Sequence, residues 1–293
     1  MNHKNINSVL CKVHNEFVKS ITDETVRNLV DKNSIITGGA IVSLLTGQEV
    51  NDYDYYFTDK ETTLAVTKYF VNNFCEKHKD MPVTIKDDDG RIKIFIKSNG
   101  VAGDDKTEPD MSSYEDAMQT NITPESDLEH IEEKPKYEPV YLTSNAITLR
   151  GKIQLVIRFY GDAEEIHKNY DFVHCTNYWT SKDRKVVLNE KALEAIINKE
   201  LLYVGSKYPL CSIIRTRKFI NRGWSINAGQ YLKMAMQLNE LDLTSIKVLE
   251  DQLVGVDSSY FTNLISALQE KQDKDSAFKI NSSYVAAIIN KIF

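Results

Sequence analysis

Long apolar runs are missing from this 293-residue chain. No stretch reaches the roughly 18 apolar residues that mark a membrane-spanning helix, so none is expected. The N-terminal MNHKNINSVLCKVHNEF has no long apolar core, so no signal peptide is expected either. Cysteine is sparse. Cys11, Cys75, Cys175 and Cys211 are scattered, and none forms Cys-x-x-Cys. That spacing argues against a zinc site and a disulfide scaffold, and a reducing cytoplasm fits best. A P-loop, a dinucleotide-binding glycine fingerprint, a Ser-His-Asp arrangement and internal repeats are also absent.

Basic charge is in short supply as well. The formal net charge is −6, which argues against a nucleic-acid binder. The distribution changes that reading. Residues 99–138 carry 12 Asp or Glu and 3 Lys, a net of −9, so the remainder is +3. That segment is polar and aperiodic and reads as an acidic loop or disordered insertion. Elsewhere, with 42% hydrophobic and 27% charged residues overall, the chain reads as packed and soluble.

The order of patterns predicts an α+β protein. One or two amphipathic helices cover NINSVLCKVHNEFVKSITDETVRNLV. NSIIT is a short strand, GAIVSLLTG a short helix closed by Gly47, and YDYYF an aromatic strand. A helix (KETTLAVTKYFVNNFCEKH) and two strands (PVTIKDD and RIKIFIK) joined by an Asp89-Gly90 turn follow. After the insertion, PVYLTSNAITL, KIQLVIRFY and YDFVHC read as strands and DAEEIHKN as a helical turn. From about Asn189 onward six segments read as helices. The expected organisation is a mixed sheet-and-helix domain over 1–185 and a helical domain over 186–293.

Two signals sit close together in ITGGAIVSLLTGQEVNDYDYYF. Gly38 and Gly39 end a strand and begin a helix. Glycines there let a phosphate approach the backbone, and the helix N-terminus offers N–H groups to it. Thr37 could add a hydroxyl; a plain tight turn is the alternative. Asp52 and Asp54 are two residues apart on a strand, so they share a face. Two acids on one face of an otherwise aromatic strand need a compensating charge, and a hard divalent cation such as Mg²⁺ supplies it.

Gly-Gly, twelve residues, then Asp-Tyr-Asp-Tyr resembles the signature of polymerase-β-like nucleotidyltransferases. It is most similar to the first motif of class II tRNA nucleotidyltransferases and bacterial poly(A) polymerases, including Leu44, Leu45 and Gly47. Val42-Ser43 stands where that family usually has Arg-Asp. The resemblance implies a polymerase-β-like fold and two-metal transfer of a nucleotidyl group from a nucleoside triphosphate. Asp52 and Asp54 would hold Mg²⁺, or Mn²⁺, and Gly38 and Gly39 would cradle the β- and γ-phosphates. A third carboxylate is implied on a neighbouring strand. Asp171, flanked by Tyr170 and Phe172, is the first choice for it. YDFVHCTNYW also resembles a family motif whose Asp lies near the nucleotide sugar, with Asn169 and Tyr170 replacing two arginines. Asp171 is therefore a metal ligand, a nucleotide contact or a solvated strand residue. Gln154 is the runner-up position, but an amide is a poor Mg²⁺ ligand. Arg158 shares its parity and could face the triphosphate; a surface arginine is the alternative.

Arg215, Lys218 and Arg222 lie at i, i+3 and i+7, on one face of a predicted helix. A solvated basic face is the plain reading. With Pro209, Phe219, Gly223 and Trp224 they also resemble a helix that borders the nucleotide pocket in the class II family. Lys218 replaces an arginine there, which puts bidentate contact in doubt. His174 and Cys175 read as core residues.

The resemblance implies an NTP substrate and an RNA 3′ end, most similar to that of tRNA, as acceptor. A protein or small-molecule acceptor and a catalytically inactive nucleotide-binding module are the competing expectations. No membrane partner is expected. The wealth of Lys, Asn and Ile suggests an AT-rich genome, such as that of a phage or a low-GC bacterium.

Overall fold

The structure, a computed structural model, describes residues 2–79, 83–88, 90–96 and 136–245, with positions 248, 249, 252, 283 and 286 beyond them. Most of the expected acidic segment and most of the last three expected helices lie outside the described residues.

Helices start where the sequence supplies caps. Asn2 caps α1 (His3–Ser20), and Asp23 caps α2 (Glu24–Asn33). In each, the side chain accepts a hydrogen bond from a backbone N–H of the first turn, which would otherwise lack a partner. Strand β1 (Ser34–Thr37) runs into α3 (Gly39–Thr46), which Gly47 ends in the left-handed conformation. Next come β2 (Tyr53–Phe57), α4 (Lys60–Lys77) capped by Asp59, and the hairpin β3 (Val83–Asp88) and β4 (Arg91–Ile96).

After the acidic segment, β5 (Pro139–Leu142), β6 (Ala146–Leu149) and β7 (Ile153–Tyr160) form an antiparallel run. Helix α5 (Ala163–His167), β8 (Tyr178–Thr180) and β9 (Lys185–Val187) follow. The chain continues through α6 (Glu190–Asn198), α7 (Pro209–Asn221) and α8 (Ala228–Leu238).

The expected α+β class is present: a mixed sheet with helices, then a helical part. Seven strands form one sheet in the order β5-β6-β7-β2-β1-β8-β9. Strand β2 runs parallel to β7 and antiparallel to β1. Two expectations change. YDFVHC is not a strand; Phe172 makes an isolated bridge to Tyr203, and Val173–Cys175 form a short 3₁₀ turn. The β8–β9 hairpin was not foreseen; its second strand spans Lys185–Val187. Its strands have three residues each, too few for alternation to show.

The two sheet faces differ. Tyr55, Phe57, Ile36, Leu155 and Ile157 pack under α1, α2 and α4 in the large core. The opposite face carries a smaller cluster of Ile35, Tyr56, Val156 and Ile166, the last from α5. A third cluster joins Phe172 to Leu201, Tyr203 and Met234 and so ties the helical part to the loop after α5.

Candidate nucleotide site

The site lies on the smaller face, where β1 ends. Register places Thr37 opposite Asp54, and Asp54 opposite Gln154 on β7. Gly38 has φ +84° and ψ −147°, a combination open in practice to glycine alone. A Cβ there would meet Asp54 Oδ2 at 2.8 Å. The Asp54 carboxylate therefore rests against the bare backbone where α3 begins. The N-cap residue of α3 is Gly38, which has no side chain to cap the helix, and a Cβ on Gly39 would meet nothing within 4 Å. Open space thus borders a helix N-terminus whose first N–H groups have no partner within the helix.

The Gly38 N–H itself donates to the Cys175 carbonyl at 3.2 Å. Gly38 therefore contributes shape, and Gly39 is left as the backbone approach for an anion. Thr37 is fully buried. Its hydroxyl lies 2.9 Å from the Asn177 carbonyl oxygen and 2.8 Å from His167 Nε2. A neutral His167 donating from Nε2 satisfies both contacts. Burial lowers the His167 pKa to about 4, which keeps it neutral. Thr37 thus pins the β1–α3 turn and points into the protein.

Asp54 is half-buried on β2, and Asp52 is exposed one residue before the strand begins. Asp171 is buried in the loop after α5, where it forms an ion pair with Arg215 of α7. Among the described residues, no three His, Cys, Asp or Glu side chains come together as a metal-binding group. Asp171 is thus engaged with Arg215, and Gln154 is the strand neighbour in register with Asp54.

The charges still converge on one buried patch. Burial raises the Cys175 thiol, and Asp171 and Asp54 add to that while Arg215 and Arg222 oppose it. Burial also raises the Tyr56 phenol, again with Asp54 adding and Arg215 opposing. Asp54 and Arg215 thus act on both Tyr56 and Cys175, and Asp171 and Arg222 act on Cys175 as well.

Arg158, expected to share the parity of Gln154, packs against Tyr208. It is 5% exposed, stacks on the Tyr208 ring at 4.6 Å and donates to the Tyr208 hydroxyl. Tyr208 caps the start of α7, so Arg158 ties β7 to the helix that carries Arg215. Lys218 and Arg222 are exposed, and Arg222 forms the C-cap of α7. His174 is a core residue, ringed by Phe172, Phe219 and Trp224, and burial lowers its pKa to about 4.

Two residues of this site went unassigned by sequence reasoning. Tyr56 and Tyr170 place their hydroxyls 3.3 Å apart beside Asp54. The parity of Tyr56 with Asp54 was a usable signal; Tyr170 lay hidden beside Asp171 in a loop.

A family model for the Gabija anti-defense 2 family protein matches residues 8–199, well over half of the chain. The chain belongs to this family. The Gabija anti-defense 2 protein of Bacillus phage SPbetaL7 is 21% identical over 264 residues. That match takes in 89% of this chain and 50% of the phage protein, so this family member spans about half the length of its relative. Solved structures similar to it include the CCA-adding enzyme of Thermotoga maritima complexed with tRNA. There the TM-score is 0.39 and the identity 10%, over 93% of this chain and 58% of that one. The CCA-adding enzyme of Bacillus stearothermophilus in complex with CTP gives 0.41 and 13%, over 85% and 50%. Likeness at this level does not extend to substrate. Among the described residues, no helix of this family member is long and apolar enough to cross a membrane.

Proposed function

We propose that this anti-defence family member is a phage protein that binds a nucleoside triphosphate at Gly38, Gly39 and Asp54 and transfers its nucleotidyl group to an acceptor. The observation that carries the reading is the fit of Asp54 against Gly38 at the start of α3. That arrangement sets a carboxylate beside an anion-binding backbone, a pairing that suits a cation–phosphate complex.

Mg²⁺ commonly binds through one or two carboxylates plus substrate phosphates. Asp52 and Asp54 suit that mode, in place of a cage of three protein acids. Bound with the triphosphate, the ion, Mg²⁺ or Mn²⁺, would supply charge neutralisation at the phosphates. Asp171 orients Arg215 through its ion pair, and Arg215 adds positive charge to the site. The acceptor hydroxyl oxygen attacks the α-phosphorus and loses its proton to solvent, the bond from the α-phosphorus to the bridging β-phosphate oxygen breaks, and pyrophosphate leaves.

The acceptor proposed is an RNA 3′-hydroxyl. The exposed cations Lys218 and Arg222, on the helix that carries Arg215, offer phosphate contacts. Membership in an anti-defence family favours a second acceptor, a protein of the host defence.

One assay separates these readings. The protein is incubated with Mg²⁺, each NTP labelled at its α-phosphate, and either total RNA or total protein. Label entering RNA supports the first acceptor, and label entering protein the second. No label in either, with tight NTP binding, would leave a nucleotide-binding module. In the Asp52→Asn, Asp54→Asn double variant, transfer is expected to fall at least about a hundredfold. Full activity in that variant would overturn the assignment.

A further inference from the structure

Tyr170 is held in place from three sides. Its N–H donates to the His167 carbonyl at 3.0 Å, which ends the α5 turn tightly. Its ring packs on the His167 imidazole at 5.0 Å, and His167 in turn is fixed to Thr37. Asn169, just before it, bonds the carbonyls of Glu165 and Ile166. The loop thus aims one phenol at one point.

That point is the notch at Gly38. The Tyr170 hydroxyl lies 3.5 Å from where a Gly38 Cβ would sit, and Asp54 Oδ2 lies 2.8 Å from the same spot. A hydroxyl, a carboxylate and a bare stretch of backbone meet there. A tyrosine phenol is protonated at neutral pH, so this hydroxyl is a neutral donor held at a fixed place.

Its donor is currently turned to Tyr56, at 3.3 Å, which is long for an O–H···O bond. Hydroxyl protons rotate freely, so this bond is easily exchanged for a better acceptor. An anionic phosphate oxygen is such an acceptor. Once Tyr170 turns to it, Tyr56 can donate to Tyr170 in return, and a chain of two phenols strengthens the terminal bond.

We propose that Tyr170 is a substrate-contacting residue. Its hydroxyl donates to a phosphate oxygen of the nucleotide seated between Asp54 and the start of α3, and Tyr56 supports it from behind. This rests on the nucleotide-site reading above. It names a phosphate contact that comes neither from backbone nor from a cation.

The test uses the full chain, with Mg·ATP, Mg·CTP, Mg·GTP and Mg·UTP as probes in equilibrium binding. The melting temperature of each variant is measured alongside. Tyr170→Phe is expected to weaken binding of the preferred triphosphate about tenfold, with melting little changed. Tyr56→Phe is expected to weaken it only about two- to threefold. The double variant should match Tyr170→Phe alone, because Tyr56 acts through Tyr170. The matching nucleoside should bind wild type and Tyr170→Phe equally, since it lacks the phosphates.

Wild-type affinity in a folded Tyr170→Phe, together with weakened binding in Asp54→Asn, would overturn the Tyr170 assignment and keep the site. An equal loss for nucleoside and triphosphate would also overturn it. If Tyr170→Phe melts much lower, the Tyr56→Phe effect decides, and unchanged triphosphate affinity there would count against the chain of phenols. Binding of no triphosphate by wild type would remove both this inference and the site itself.

Discussion

The two faces of the sheet are made by the same strands and have opposite characters. Along β2, Tyr55 and Phe57 enter the large core beneath α1, α2 and α4, while Asp54 and Tyr56 face the smaller cluster beside α5. The first face is almost wholly apolar. The second carries a row of Thr148, Gln154, Asp54 and Thr37 across four strands in register. One residue of alternation thus separates stability from chemistry. Burying a polar row is costly unless its members find partners. Within the row Thr37 finds His167 and Asn177, and Asp171, in the loop after α5, finds Arg215. Asp54 is half-buried toward the end of the row nearest the α3 turn.

Substitutions on neighbouring positions of β2 break this contrast most strongly. Phe57→Ala should cost about 3–5 kcal/mol of stability through the cavity it leaves in the large core. Asp54→Asn should leave the melting temperature within a few degrees and remove NTP binding. Chemical denaturation of the two variants, with binding measured in parallel, checks both. Similar stability losses in the two would show that the faces are not divided as described.

Gly38→Ala comes next. The backbone conformation there costs an alanine about 1–3 kcal/mol, and its methyl group would press on Asp54. Loss of NTP binding beyond what the drop in stability explains is the expected result. Gly39→Ala has open space around it and should be far milder.

The smallest effect is one of pH. His14 is buried under the large face, and His167 lies on the site face. Burial lowers both to about 4, below the ordinary 6.5. In this range the unfolded chain binds protons that the folded chain refuses. Stability is therefore full above about pH 6.5 and falls as pH drops toward 4. Each histidine contributes about 1 kcal/mol of that loss at pH 5.5. Thermal melts of wild type and His167→Gln between pH 7.5 and 5 check it. The variant should be less stable at neutral pH and less sensitive to acid.

Much of this was legible in the sequence. Gly-Gly and Asp-Tyr-Asp stand out because strand parity and the helix start are local properties. The same locality made the capped helices readable. What stayed hidden depended on contacts distant in the chain. Nothing near Arg158 shows that its partner is Tyr208, 50 residues away. The partner of Asp171 is 44 residues away, and YDFVHC, read as a strand, forms an isolated bridge and a 3₁₀ turn instead. Gln154 was recognised as a candidate position and set aside for its chemistry. The sheet then placed it beside Asp54, because β2 pairs with β7 across an intervening helix, hairpin and acidic segment.

The contact between Gly38 and Asp54 also offers a way to sort relatives. Position 38 admits no side chain while a carboxylate occupies position 54, so the two should change together or not at all. A related sequence that keeps the aspartate and replaces the glycine would have closed its own site. Two letters, read as a pair, would then separate chains that can seat a nucleotide from chains that only share the fold.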